Sequence, residues 1–141
     1  MTSSKSRVLI AEDFKQLTFK DEKTGVTLRY NLFVPKDYDA SKRYPLVLFM
    51  HDASGANQVD NYTLLQGNGA TVWASPRDQA KHPCFVLAPQ YDEIVVDDSF
   101  RVSASAETTI DLLDAIKSQY SIDADRVYTT GQSMGCMLSY L

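Results

Sequence analysis

The sequence predicts an α/β protein: a β-hairpin followed by a parallel β-α-β-α-β unit that ends in a tight strand-to-helix turn. Three observations carry this prediction. Two short alternating segments flank a Lys23-Thr24-Gly25 turn, two uninterrupted apolar runs (46–50 and 84–89) alternate with helical patterns, and a Gly-x-Ser-x-Gly stretch closes the last strand.

The hairpin comes from residues 14–19 and 26–34, whose alternation suits two half-buried strands. A polar loop, KDYDASKRYP, leads into LVLFM at 46–50, and such a continuous apolar run is what a strand covered on both faces requires. The Gly-, Asn- and Asp-rich segment HDASGANQVDNYTLLQGNGA must turn sharply at the end of that strand. Residues 70–81 then follow a helical pattern interrupted at Ser75-Pro76, a cap followed by proline at the first helical position. CFVLAP at 84–89 is the second buried strand, and QYDEIVVDDSFRV is a loop. From about Ser103 a helix is expected, with Ala106, Ile110, Leu113, Ile116 and Tyr120 on one face and Glu107 in its first turn. After the polar SIDADR, the short strand RVYTTG runs straight into the final turn.

With 141 residues, 44% of them hydrophobic, the chain has the size and composition of one domain with a core. Residues 1–12 are expected to form a flexible N-terminus. The net charge of −4 arises from 14 basic and 18 acidic residues scattered along the chain, and no Lys/Arg cluster is present to track a phosphate backbone. Nucleic acid is therefore excluded as a partner class. The apolar run at 8–11 is too short for a secretory core and nothing approaches a membrane span, so the chain reads as soluble and cytoplasmic, or secreted if a signal peptide has been removed. Cys84 and Cys136 have neither zinc-site spacing nor the number for a disulfide framework, and both are expected to be small buried residues. Gly67 and Gly69 supply only part of a dinucleotide fingerprint and no P-loop occurs, so neither cofactor nor metal is expected.

The chemistry concentrates in GQSMG, residues 131–135. A serine on a strained strand-to-helix turn projects its hydroxyl from the top of a sheet, and Gly131 and Gly135 leave room for the adjoining strand and helix. Ser133 is the candidate nucleophile. The N–H of Met134 and, from the loop after LVLFM, that of Ala53 are the candidate oxyanion hole. His51 is better suited to ordering this loop through its ring hydrogen bonds than to acting as the base. His82 precedes the second buried strand and should lie at the opposite sheet edge. Asp97 and Asp98 read as solvated loop carboxylates. Tyr62, Trp73, Tyr91 and Phe100 are candidates for an acyl pocket, although aromatic residues more often fill a core.

YPLVLFMHDASG, HPCFVLAPQY and YSIDADRVYTTGQSMG together resemble the N-terminal part of the α/β-hydrolase superfamily. The likeness is to its esterase and predicted-peptidase group, with dienelactone-hydrolase-like and feruloyl- or polyhydroxybutyrate-esterase-like members, and runs from about residue 27 onward. The family usually has His-Gly where this chain has His51-Asp52, and a second glycine where it has Cys136. The resemblance implies a serine hydrolase acting on small carboxylic esters, with a peptidase or a non-catalytic assembly module of the same fold as alternatives. It also implies a chain order of serine, then acid, then histidine. Only eight residues follow Ser133. The acid and base are thus expected beyond Leu141, and a missing C-terminal half or an oligomeric partner is expected to cover the sheet edge left open at the RVYTT strand. Without its base, such a site retains roughly 10³- to 10⁴-fold acceleration over water, so residues 1–141 alone are expected to be nearly inactive.

Overall fold

The alternation seen in the sequence becomes two buried faces on one five-stranded sheet. The structure is a computed structural model and describes residues 4–141. Lys15–Lys20 (β1) and Thr27–Phe33 (β2) pair antiparallel across the turn at Gly25, whose φ of 75° suits a residue without a side chain. Tyr44–Met50 (β3), Phe85–Gln90 (β4) and Ile122–Gly131 (β5) run parallel, and the strand order is β1-β2-β4-β3-β5. β2 joins the parallel part antiparallel to β4, with Arg29 opposite Gln90.

Period-two alternation within the apolar runs assigns each residue to a face. Leu46, Leu48, Phe85 and Leu87 pack on one side with Leu112 and Ile116 of the helix Ala104–Gln119. Val47, Phe49, Val86 and Ala88 pack on the other with Leu64, Ala70 and Ala74 from the β3-to-β4 connection. In chain order the helices are Ser4–Ala11 (α1), Tyr62–Leu65 (α2), Pro76–Lys81 (α3), Ala104–Gln119 (α4) and Met134–Ser139 (α5). From β3 the chain passes to β4 on one side and then returns across to β5 on the other. That reversal makes a topological switch point at the carboxyl ends of these strands, the place where ligands of open α/β sheets bind. No helix among the described residues is long and apolar enough to cross a membrane.

Five local expectations differ from the structure. β1, expected to be half buried, has five of its six residues exposed. Residues 1–3 lie outside the described residues, but 4–11 form α1 instead of a flexible lead, because Ile10 and Ala11 bury against the second core face. In α4 the buried positions are Ser105, Thr108, Thr109, Leu112 and Ile116, while Ile110 is exposed. Ala106, Leu113, Ile116 and Tyr120 pack on the core as expected, and hydrogen bonding admits the polar positions: Thr109 Oγ1 donates to the Ser105 carbonyl at 2.7 Å and meets the Tyr91 hydroxyl at 2.9 Å, and Thr108 Oγ1 meets Thr24 Oγ1 at 2.6 Å. β5 begins at Ile122 inside the polar segment, with a register shift that places Tyr44 opposite Ile122 but Leu46 opposite Val127. The extra residues form a bulge closed by Asp123 accepting from the Asp125 amide and the Arg126 guanidinium. Cys136, expected to be buried, is exposed on α5, whereas Cys84 is buried.

Candidate active site

β5 delivers the chain to the switch point, and the turn that follows is strained. Ser133 has φ 52° and ψ −112°, a left-handed conformation that costs a non-glycine residue about 1–3 kcal/mol. It stands exposed between Gly131, the last residue of β5, and Met134, the first of α5. The flanking glycines explain how the turn closes. A methyl group at Gly131 would overlap the Gly135 carbonyl, and one at Gly135 would overlap the Met50 carbonyl at the end of β3. The Gln132 amide donates to that same Met50 oxygen at 3.3 Å, so α5 is held against β3 at van der Waals distance.

As the first residue of α5, Met134 has an N–H without an intrahelical acceptor, at the helix end that follows β5. Its side chain is buried and its sulfur accepts from the Val95 amide at 3.3 Å, which docks the loop after β4 against the turn. Ala53 opens a single 3-10 turn, Ala53–Gly55, capped by the Asp52 carboxylate, which accepts from the Gly55 amide at 3.2 Å and the Ser54 hydroxyl at 2.6 Å. Its N–H likewise belongs to the unpaired first turn of a helix, at an exposed position on the β3 loop. Ser133, Met134 and Ala53 therefore share the edge formed by the carboxyl ends of β3 and β5.

His51 is fully buried in this loop with both ring nitrogens engaged. Nε2 accepts from the Tyr91 amide at 3.0 Å, which assigns the proton to Nδ1, and Nδ1 donates to the Asp52 carbonyl at 2.6 Å. Gly55 lies beneath the ring, where an added methyl would come within 2.7 Å of Nδ1. Burial holds the imidazole pKa below its ordinary value of 6.5, opposed by the Asp52 carbonyl. The unfolded chain thus takes up the proton more readily than the folded one. We expect His51 to contribute stability that is full above pH 6.5 and falls as the pH drops through that value toward the lower folded pKa. Urea midpoints at pH 7.5 and 5 measure this, and the decrease should be smaller in His51→Gln.

Other candidates fall elsewhere. His82 caps the C-terminus of α3, just ahead of β4 and so at the opposite sheet edge. Trp73 lies toward that edge too, its carbonyl accepting from Gln79 at 2.7 Å beside Cys84. Tyr91 is wholly buried, and burial pushes its phenol pKa up. Asp97 shapes a surface turn, accepting from the Ser99 and Arg101 amides and pairing with the Arg101 guanidinium at 2.8 Å. Phe100, at φ 56°, is exposed at the tip of that turn, and Tyr62 begins α2 at a half-buried position. A methyl at Gly69 would overlap the Phe49 ring, so this glycine serves core packing.

The groups that hold the β3 loop come from distant strands and form no motif in the sequence. Arg29 donates to the Gln58 carbonyl and Asp60, both at 2.8 Å, and to Asp92, and buried Asn31 donates to the Asp60 carbonyl at 2.8 Å. Gln90 bonds to both the Gly55 carbonyl and the Thr63 amide. The available signal was a polar residue ending a wholly buried strand.

No family profile and no curated protein sequence matches the chain. Solved structures do. A thermostable esterase is 40% identical over 90% of this chain and 36% of its own, with a TM-score of 0.84. A ferulic acid esterase from Anaeromyces mucronatus is 19% identical, covering 89% of this chain and 50% of its own, with a TM-score of 0.63. An S-formylglutathione hydrolase from Agrobacterium tumefaciens is 14% identical over 90% of this chain and 52% of its own, also with a TM-score of 0.63. This chain thus spans about a third to a half of the length of these structures. By its sheet order and these likenesses, the chain has the α/β-hydrolase fold, in the part of it that these esterases share.

Proposed function

We propose that this chain carries the nucleophile and oxyanion hole of a serine hydrolase acting on small carboxylic esters. The observation that carries the reading is the strained, exposed Ser133 between two glycines that admit no side chain, at the carboxyl end of β5. Ser133 Oγ attacks the acyl carbonyl, and the Met134 and Ala53 N–H groups take up the negative charge that develops on its oxygen. His51, engaged at both nitrogens, and His82, at the far edge, leave the base to a histidine outside residues 1–141, oriented by an acid also outside them. The 40% identity to a thermostable esterase favours ester over peptide substrates. Labelling of the full-length protein with a fluorophosphonate, followed by peptide mapping, tests the assignment. Adduct on Ser133 supports it, whereas unlabelled Ser133 favours a non-catalytic assembly role for the fold.

A further inference from the structure

An oxyanion donor works only if its N–H is fixed before the charge develops, and the Ala53 N–H sits on a loop with no strand or long helix to fix it. The 51–63 segment contains one 3-10 turn and leads into the four-residue α2. Its position is set from outside, by the end of β4.

Gln90, the last residue of β4, is fully buried and uses both ends of its amide on this loop. Nε2 donates to the Gly55 carbonyl at 2.5 Å, two residues after Ala53, and lies 3.5 Å from His51 Nε2. Oε1 accepts from the Thr63 amide at 2.9 Å, inside α2. One side chain therefore ties the beginning of the loop to its end and both to the central sheet. The neighbouring backbone repeats the pattern, since the Tyr91 amide donates to His51 and the Tyr91 carbonyl accepts from Asn57 at 2.8 Å. Arg29 grips the same loop at Gln58 and Asp60, but from a solvated position where ion pairs are worth less.

We propose that Gln90 is a positioning residue for catalysis, holding the 51–63 loop so that the Ala53 N–H meets the developing oxyanion. This rests on the esterase reading. The position calls for one neutral donor and one neutral acceptor, which an amide supplies. Methionine has the length but neither group, and leaves the Gly55 carbonyl and Thr63 amide buried without partners. A protonated glutamic acid supplies both, and a glutamate loses the donor and faces the Gly55 carbonyl with a negative charge.

The test is steady-state hydrolysis of p-nitrophenyl acetate by the full-length protein and its Gln90→Met, Gln90→Glu, Ser133→Ala and Ile116→Ala variants. Because misplacing a catalytic group by about 1 Å costs about 100-fold, Gln90→Met should lower kcat by roughly 10- to 100-fold with KM changed less than about twofold. Gln90→Glu should approach the parent rate at the acid end of the profile and fall away from it as its carboxyl ionises. Ile116→Ala, a cavity in the core under α4, should lower Tm without changing kcat, separating positioning from general destabilisation. Turnover that depends on Ser133 but survives Gln90→Met, or a Gln90→Glu profile parallel to the parent's, overturns the inference and leaves the esterase reading standing. Turnover indifferent to Ser133→Ala overturns both.

Discussion

Ser133→Ala in the full-length protein is expected to reduce ester turnover to the background rate. Removing the nucleophile of a triad costs about a millionfold in kcat, and the residual acceleration comes from the oxyanion hole and binding. The fold should survive, because the Ser133 side chain is exposed and the residue caps α5 without a side-chain hydrogen bond. The backbone makes a second, separable prediction. At φ 52°, alanine keeps the strain of serine, whereas glycine releases it. Ser133→Gly should therefore be inactive and about 1 kcal/mol more stable than Ser133→Ala, reflecting the cost of a left-handed non-glycine residue. Denaturant midpoints of the two variants, measured beside their p-nitrophenyl acetate rates, give the comparison. Equal stabilities would mean that the turn is relaxed in solution and that no strain is held at the nucleophile.

Gly135→Ala is expected to be the most damaging single-methyl substitution in the chain. The added carbon would overlap the Met50 carbonyl oxygen and crowd its carbonyl carbon, backbone atoms that β3 holds in register with β5. No rotamer change relieves that overlap. α5 must lift from β3, displacing the Met134 N–H and loosening Met134 and Leu138 from the core. Overpacking costs typically about 1–3 kcal/mol where side chains can give way, so a backbone clash should exceed that and abolish activity as well. Gly67→Ala is the matched control, since nothing lies within 4 Å of its added carbon, and it should change stability by less than about 0.5 kcal/mol, as surface substitutions do. Wild-type stability in Gly135→Ala would show that the contact between α5 and β3 yields easily, and would remove the packing explanation for the second glycine.

Legibility in the sequence followed the physics of each element. The 46–50 and 84–89 runs are plain because burial on both faces demands an uninterrupted apolar stretch, whereas the hairpin is legible in its pairing and not in its burial, since β1 is exposed along nearly all its length. The apolar face of α4 is legible at Ala106, Leu113, Ile116 and Tyr120, which pack on the core, but the burial of Thr108 and Thr109 is not, because they are polar and only their partners, Thr24 and Tyr91, make it favourable. α1 was missed because an eight-residue helix is marginal alone and is stabilised by docking Ile10 and Ala11 onto the sheet.

At the site, the sequence by itself determined the local requirements: a serine flanked by glycines after a β-branched strand, and a sharp loop after β3. These are short-range steric demands, carried within a few residues. Only the tertiary structure decided what surrounds them. It showed that Gly135 is needed because of Met50, some eighty-five residues earlier, that His51 is occupied by the Tyr91 amide, and that Gln90 bridges Gly55 to Thr63. Such partners meet through strand order, and a hydrogen bond between residues forty positions apart leaves no periodic trace along the chain.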